Sequence, residues 1–213
     1  MADPIIYGPA YSTYARSVRL ALEEKGASYQ LKEVDLLSDA QKSADHLARN
    51  PFGKVPAFSH GGFTLYETSA ILRYIDDVFD GPSLQPSDAH QRARMNQVLS
   101  IIDSYAYASF ITNIFIPRVI VPMTGGTTDE TAVQAEVPKA KTSVRALNEL
   151  VGSNAYVAGD SLSIADLHLV PVYDYFSQTP EGQALLPSAP NLTRWWSSIS
   201  TRPSVEKTKP SLG

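Results

Sequence analysis

In the first third of the chain, short apolar runs alternate with amphipathic stretches, whereas further on the apolar positions recur every three or four residues. "PIIYG" (residues 4–8) has the pattern of a short buried strand; after turn residues come Ala15, Val18 and Leu22 at helical spacing, with Gly26 placed to close that helix. "SYQLKEV" sets Tyr29 and Leu31 on one side of a second strand, and "SDAQKSADHLARN" reads as a short surface helix. "VPAFS" and "FTLYE" flank "HGG", the signature of a hairpin, and Ile71, Ile75 and Val78 follow on one helix face. The order predicted is β-α-β-α-β-β-α.

"DGPSLQPSD" (residues 80–88) carries two prolines and a glycine between periodic segments, as an interdomain linker does. The spacing predicts a first domain over 1–79, the linker, and an all-α domain over 89–213, so the fold class is α/β plus all-α. One long helix is expected from Asp88 to about Ile116, ending or kinking at Pro117. Val133, Val137, Ala140, Val144, Leu147 and Leu150 mark another, which Pro138 should bend or break. "SIAD" predicts a helix capped by Ser163, with Asp166 reaching back to it and doing nothing more; a further helix starts at Asn191. His168 reads as a core histidine, Trp195 and Trp196 as packing residues.

Composition narrows the chemistry. The 213 residues are 43% hydrophobic and 19% charged, with a formal net charge of -4, a balance that recommends neither nucleic acid nor an anionic membrane as partner. There is no cysteine, so disulfides, thiolate metal sites and protein-thiol catalysis are all excluded. The four histidines (His46, His60, His90, His168) lack paired spacing, so no metal is expected; no P-loop or G-x-S-x-G elbow occurs. No run of about 18 apolar residues suggests a membrane span, and the first residues lack the apolar stretch of a signal peptide; a cytoplasmic location is expected.

What remains is a set of polar residues at loop positions of the first domain. Ser12 and Thr13 end the first loop and open a helix, whose free N–H groups and positive macrodipole end favour an anion. Glu67, Thr68 and Ser69 open another in the same manner. Between them lies "NPFGKVPAF" (residues 50–58); a cis bond before Pro56 would turn the Val55 backbone outward, where an extended peptide could pair with it.

Three stretches, "STYARSVRLALEEKG", "HLARNPFGKVPAF" and "LYETSAILRYI", resemble in order and spacing the N-terminal domain of cytosolic glutathione transferases of the serine type. "NPFGKVPAF" is most similar to the phi class, and "STYARSVR" is similar to bacterial members with Ser-Pro-Tyr there. "YVAGDSLSIADLHLVP" resembles the family's second domain, so the likeness spans the chain.

The resemblance implies a thioredoxin-like first domain in which Val55 and cis-Pro56 pair with the cysteinyl part of glutathione. Glu67 and Thr68 would hold its γ-glutamyl end, and Lys54 and Lys42 its glycyl end. Gln41 stands where phi-like sequences often carry histidine, which implies a weaker grip there. Ser12 matches the residue that hydrogen-bonds the sulfur; Thr13 and then Tyr11 rank behind it, with Tyr7 and Tyr14 also carrying hydroxyls. Tyr11, Tyr105, Tyr107, Phe110, Ile114 and Phe115 are the candidates for a pocket that takes the second substrate. The implied activity is conjugation of glutathione, as co-substrate, to apolar electrophiles, a detoxification chemistry, in a homodimer. Alternatives are a glutathione-dependent peroxidase or a non-catalytic carrier.

Overall fold

The structure, a computed structural model, describes residues 3–210. It separates into two compact units: residues up to Gln85 together with those from Arg202, and Pro86–Thr201.

The first unit runs β1 (Ile5–Tyr7), α1 (Thr13–Glu24), β2 (Gln30–Lys32), α2 (Ala44–Leu47), β3 (Ala57–His60), β4 (Phe63–Leu65) and α3 (Thr68–Val78), the βαβαββα order of a thioredoxin-like domain. The sheet order is β2-β1-β3-β4, with β1 parallel to β2 and the other two pairs antiparallel. Ile6 and Phe58, paired across the sheet, are fully buried, as are Val18 and Leu22 of α1 and Ile71, Leu72 and Ile75 of α3, and these two helices pack on one another. Gly61 and Gly62 both take positive φ (57° and 88°), which the two-residue loop between the paired His60 and Phe63 requires of both its residues.

Residues 80–85, expected as part of a linker, are tied to this unit. Leu84 is buried and its N–H donates to Asp76; Lys25, buried against Asp76 at 2.7 Å, also donates to the Pro82 carbonyl.

The second unit is helical: α4 (Ala89–Ile101), wide π-type turns over Ile102–Ala106 and Ala108–Ile120, α5 (Val121–Met123), α6 (Glu130–Val151), α7 (Ile164–Ser177), α8 (Pro180–Leu185) and α9 (Pro190–Ile199). Asp88 caps α4 by accepting from the amides of His90 and Gln91. The long helix neither ends nor kinks at Pro117; it continues to Met123 and turns through 43° between Ala106 and Ala108. In a widened turn the proline ring escapes its usual clash with the carbonyl four residues back. Pro138 does not break α6 either. It and Gln134, whose carbonyl loses a partner, both face solvent, so water takes the missing bond.

The C-terminal segment is tied to the first unit. From Arg202 through α10 (Pro203–Lys207) the chain belongs to the first unit. Arg202 grips Glu24 with two bonds (2.9 and 2.7 Å), Lys207 pairs with Glu23, and buried Arg16 donates to the Val205 carbonyl and the Thr208 hydroxyl. These partners are charged and polar groups nearly the whole chain apart, which apolar periodicity does not register. The expected domain end at 213 lies outside the described residues.

Candidate active site

Sheet register brings three loops to one end of the first unit. Tyr7 pairs with Ala57, and Phe58 with Leu65. Residues 8–12, 54–56 and 66–67 therefore leave or enter the sheet at the same end. Contact between the first two is direct: a Cβ on Gly8 would sit 3.3 Å from the Cβ atoms of both Ala15 and Val55 and 3.8 Å from Cα of Pro56. Glycine at 8 lets the start of α1 and the 54–56 loop close on one another.

Ser12 is the N-cap of α1. Its backbone is extended (φ −65°, ψ 126°), its carbonyl accepts the Arg16 amide, and its hydroxyl oxygen accepts Ala15 N–H at 3.3 Å, which leaves the hydroxyl proton to donate elsewhere. Ser12 is half-buried, whereas Thr13 is only 5% exposed. The tyrosines are differently engaged. Tyr7 has the Arg49 guanidinium 4.3 Å and the Lys32 ammonium 5.6 Å from its ring centre. Burial, then the charges of Glu33 and Asp35, push the Tyr11 phenol above its ordinary range, against the pull of the Leu36 amide.

The Val55–Pro56 bond is cis. Val55 is half-buried, and its N–H and C=O have no partner among the described residues. Sequence reasoning missed what holds this loop: His46 and Asn50, each 2% exposed, bond the Lys54 carbonyl at 2.8 and 2.9 Å, and Asn50 also accepts the Phe52 amide. Both lie in the quoted "HLARNP", but their target is a main-chain oxygen, which has no side-chain signature. Lys54 itself points its side chain into solvent. Lys42 is exposed and paired with Asp39 at 2.9 Å, and Gln41 donates to the same carboxylate. Such an exposed pair is worth about 0–1 kcal/mol and yields readily to a better anion.

Glu67, at the start of α3, has φ 69° and ψ 109°, a conformation that costs a non-glycine residue about 1–3 kcal/mol. Its carboxylate is exposed and has no partner among the described residues. Thr68 is buried, and as first-turn residues Thr68 and Ser69 have amides with no intrahelical acceptor. A carboxylate beside a helix N-terminus suits a group with an ammonium next to a carboxylate, as an α-amino acid has.

Several residues expected at the second-substrate pocket are packed inside the helical unit. Phe110 and Ile114 are fully buried and Phe115 is 2% exposed; Phe110 stacks on Phe176 at 4.0 Å and Phe115 on Tyr175 at 4.3 Å. These three are core residues of the helical unit, packed against α7. Tyr107, at the bend, is half-buried, and Tyr105 is 65% exposed. Asp166 exceeds its expected role as a capping partner: it accepts from Ser163, from the Val157 amide and from the Trp195 indole.

The first unit is thioredoxin-like and carries, near the starts of α1 and α3, a Val55 main chain with no partner among the described residues; a helical unit follows. Residues 4–77 match the glutathione S-transferase N-terminal domain and 87–203 the C-terminal domain, and the chain belongs to that family. It is 35% identical to the probable glutathione S-transferase GSTF1 of Oryza sativa over 95% of this chain and 93% of that one. It is 34% identical to glutathione S-transferase 1 of Zea mays over 97% and 96%. Glutathione transferase F7 of Populus trichocarpa superposes with a TM-score of 0.87 at 29% identity, covering 96% and 97% of the two chains. Glutathione S-transferase I bound with lactoylglutathione gives 0.86 at 32%, covering 97% and 98%. The likeness is thus to phi-class transferases, and the chain is an enzyme that joins glutathione through its sulfur to electrophiles.

Proposed function

We propose that Ser12 carries the reaction by donating a hydrogen bond from its hydroxyl to the glutathione sulfur, which keeps the sulfur a thiolate once the thiol proton has passed to solvent. The supporting observation is a half-buried hydroxyl at a helix N-cap whose helix comes close, at Gly8, to the Val55 side chain and the Pro56 backbone, beside a Val55 main chain with no partner among the described residues. A thiol of pKa about 8.5 is only about 3% ionised at pH 7. Lowering it by about two units takes about 2.7 kcal/mol. A hydrogen bond to a charged acceptor supplies roughly 1.5–3 kcal/mol and the helix end about 0.3–1, so no general base is needed. The thiolate then attacks an electrophilic carbon: the C–S bond forms and the leaving group departs with its electron pair.

Val55 and Pro56 pair with the cysteinyl main chain, Glu67 takes the γ-glutamyl ammonium, and Thr68 with the α3 amides takes its carboxylate. Lys54, Lys42 and Gln41 face the glycyl carboxylate, with Thr13 behind Ser12 and Tyr11 toward the acceptor. A related maize enzyme was solved with an atrazine glutathione conjugate, and an apolar aromatic electrophile is the acceptor class we assign here. A cytoplasmic homodimer in detoxification is the setting that family membership supports, and the exposed Phe52 and Phe63 offer apolar surface for a second copy.

The test is turnover of a chlorodinitrobenzene-type acceptor, with a hydroperoxide assayed alongside, in the wild type and Ser12→Ala. The variant should lose about 10–10² in kcat while calorimetry still detects glutathione binding and the bound thiol titrates higher. An unchanged thiol pKa with unchanged turnover defeats the assignment. Peroxide turnover alone would make the enzyme a peroxidase; neither activity with binding retained would make it a carrier.

A further inference from the structure

We propose that His46 is a positioning residue for glutathione: with Asn50 it fixes the plane of the Lys54–Val55 peptide so that the Val55 N–H faces the ligand. The inference rests on the binding role given to Val55 above. Lys54 C=O and Val55 N–H belong to one peptide group, and in a trans peptide the two point in opposite directions. Among the described residues the only cis bond is the next one, between Val55 and Pro56.

The Lys54 oxygen is aimed inward. It accepts from His46 Nε2 at 2.8 Å and from Asn50 Nδ2 at 2.9 Å, both on residues 2% exposed, so both its lone pairs are taken. The Val55 N–H is thereby turned away from those two side chains, and it has no partner among the described residues. Since a carbonyl can only accept, the His46 ring donates from Nε2, and its buried Nδ1 has no partner. Two donors on the carbonyl also polarise the peptide, which makes the opposite N–H a better donor to a ligand carbonyl.

His46 is itself held rigidly. Ser43 caps the single turn of α2 by accepting the His46 amide at 3.3 Å, and the ring is enclosed. Among the described residues His46 bonds Ser43 and the Lys54 carbonyl and not Ser12, so its effect belongs to capture of the tripeptide and not to ionisation of the thiol.

The experiment compares wild type, His46→Leu and His46→Gln. We expect His46→Leu to raise KM and the calorimetric Kd for glutathione about five- to tenfold. Its kcat at saturating glutathione and the pKa of the bound thiol should stay near the wild-type values. His46→Gln, which keeps an amide donor, should recover most of the affinity. Equal glutathione Kd in wild type and folded His46→Leu overturns the proposal, as does a matching fall in kcat with a raised thiol pKa. Should His46→Leu not fold, 15N spectra of the wild-type imidazole decide: a proton on Nε2 that is retained on glutathione binding supports the proposal, and one on Nδ1 alone overturns it. If wild type itself binds no glutathione, the reading of the site fails, a result distinct from wild type and variant binding alike.

Discussion

The indole N–H of Trp195 donates to the Asp166 carboxylate at 2.9 Å, where Asp166 is fully buried and Trp195 is 1% exposed. Burial pushes this carboxyl above its ordinary range, against the pull of the Val157 amide, Ser163 and Trp195. Asp166→Ala would strand at least three buried donors at about 1–3 kcal/mol each, partly relieved by local rearrangement. We expect about 3–5 kcal/mol of lost stability, read as a lower urea midpoint followed by tryptophan fluorescence, while Trp195→Phe costs distinctly less.

Glu24, at the end of α1, is 8% exposed at its side chain and held by Arg202 and Ser204. Burial pushes its carboxyl up, but the Arg202 and Ser204 hydrogen bonds and the Arg202 charge prevail and hold it below the usual carboxylate range. A folded-state value below the unfolded one, about 4.3, means stabilisation complete above roughly pH 5 and lost as pH falls through the folded value. Glu24→Gln should therefore cost about 1–3 kcal/mol at pH 7, and denaturation curves of the two proteins should converge as pH falls below the folded-state value.

Glu67 combines an unpaired carboxylate with a strained backbone. Glu67→Gly relieves the strain and should raise the melting temperature by a few degrees, corresponding to about 1 kcal/mol, while weakening glutathione binding. Glu67→Gln keeps the strain and should weaken binding with an unchanged melting temperature. Equal melting temperatures for the glycine and glutamine variants would contradict this account.

Arg118 reaches both Glu130 and Glu181, and Glu181, whose side chain is only 6% exposed, accepts at 2.6 and 3.0 Å. Removing the guanidinium leaves that carboxylate buried without a counter-charge, so Arg118→Leu should cost about 3–5 kcal/mol. Adding Glu181→Leu should restore much of it, a coupling that a double-mutant cycle measures directly.

The order of elements in the first unit was legible because period-two and period-three-to-four patterns alternate there and Gly61–Gly62 mark the hairpin. Ser12, Glu67 and Thr68 were legible for a related reason: cap residues announce helix starts, and helix starts at one end of a sheet attract an anion. Other features left no such trace. The π-type turns depend on which carbonyl each amide selects, a choice that residue identity does not encode. Phe110 and Phe115 recur at a spacing that fits core and pocket equally, and their stacking on Phe176 and Tyr175 has no signature in that spacing. Pro138 is tolerated because its side of α6 is wet, which depends on what the other faces meet.

The clamp that Arg202, Val205 and Thr208 place on α1 has a consequence for biosynthesis. The helix bearing Ser12 leaves the ribosome ahead of the residues that secure it by 178 to 192 positions. Until those residues emerge, Arg16 and Glu24 lack these partners, so a chain cut short before Arg202 loses support first in a helix made long before the cut.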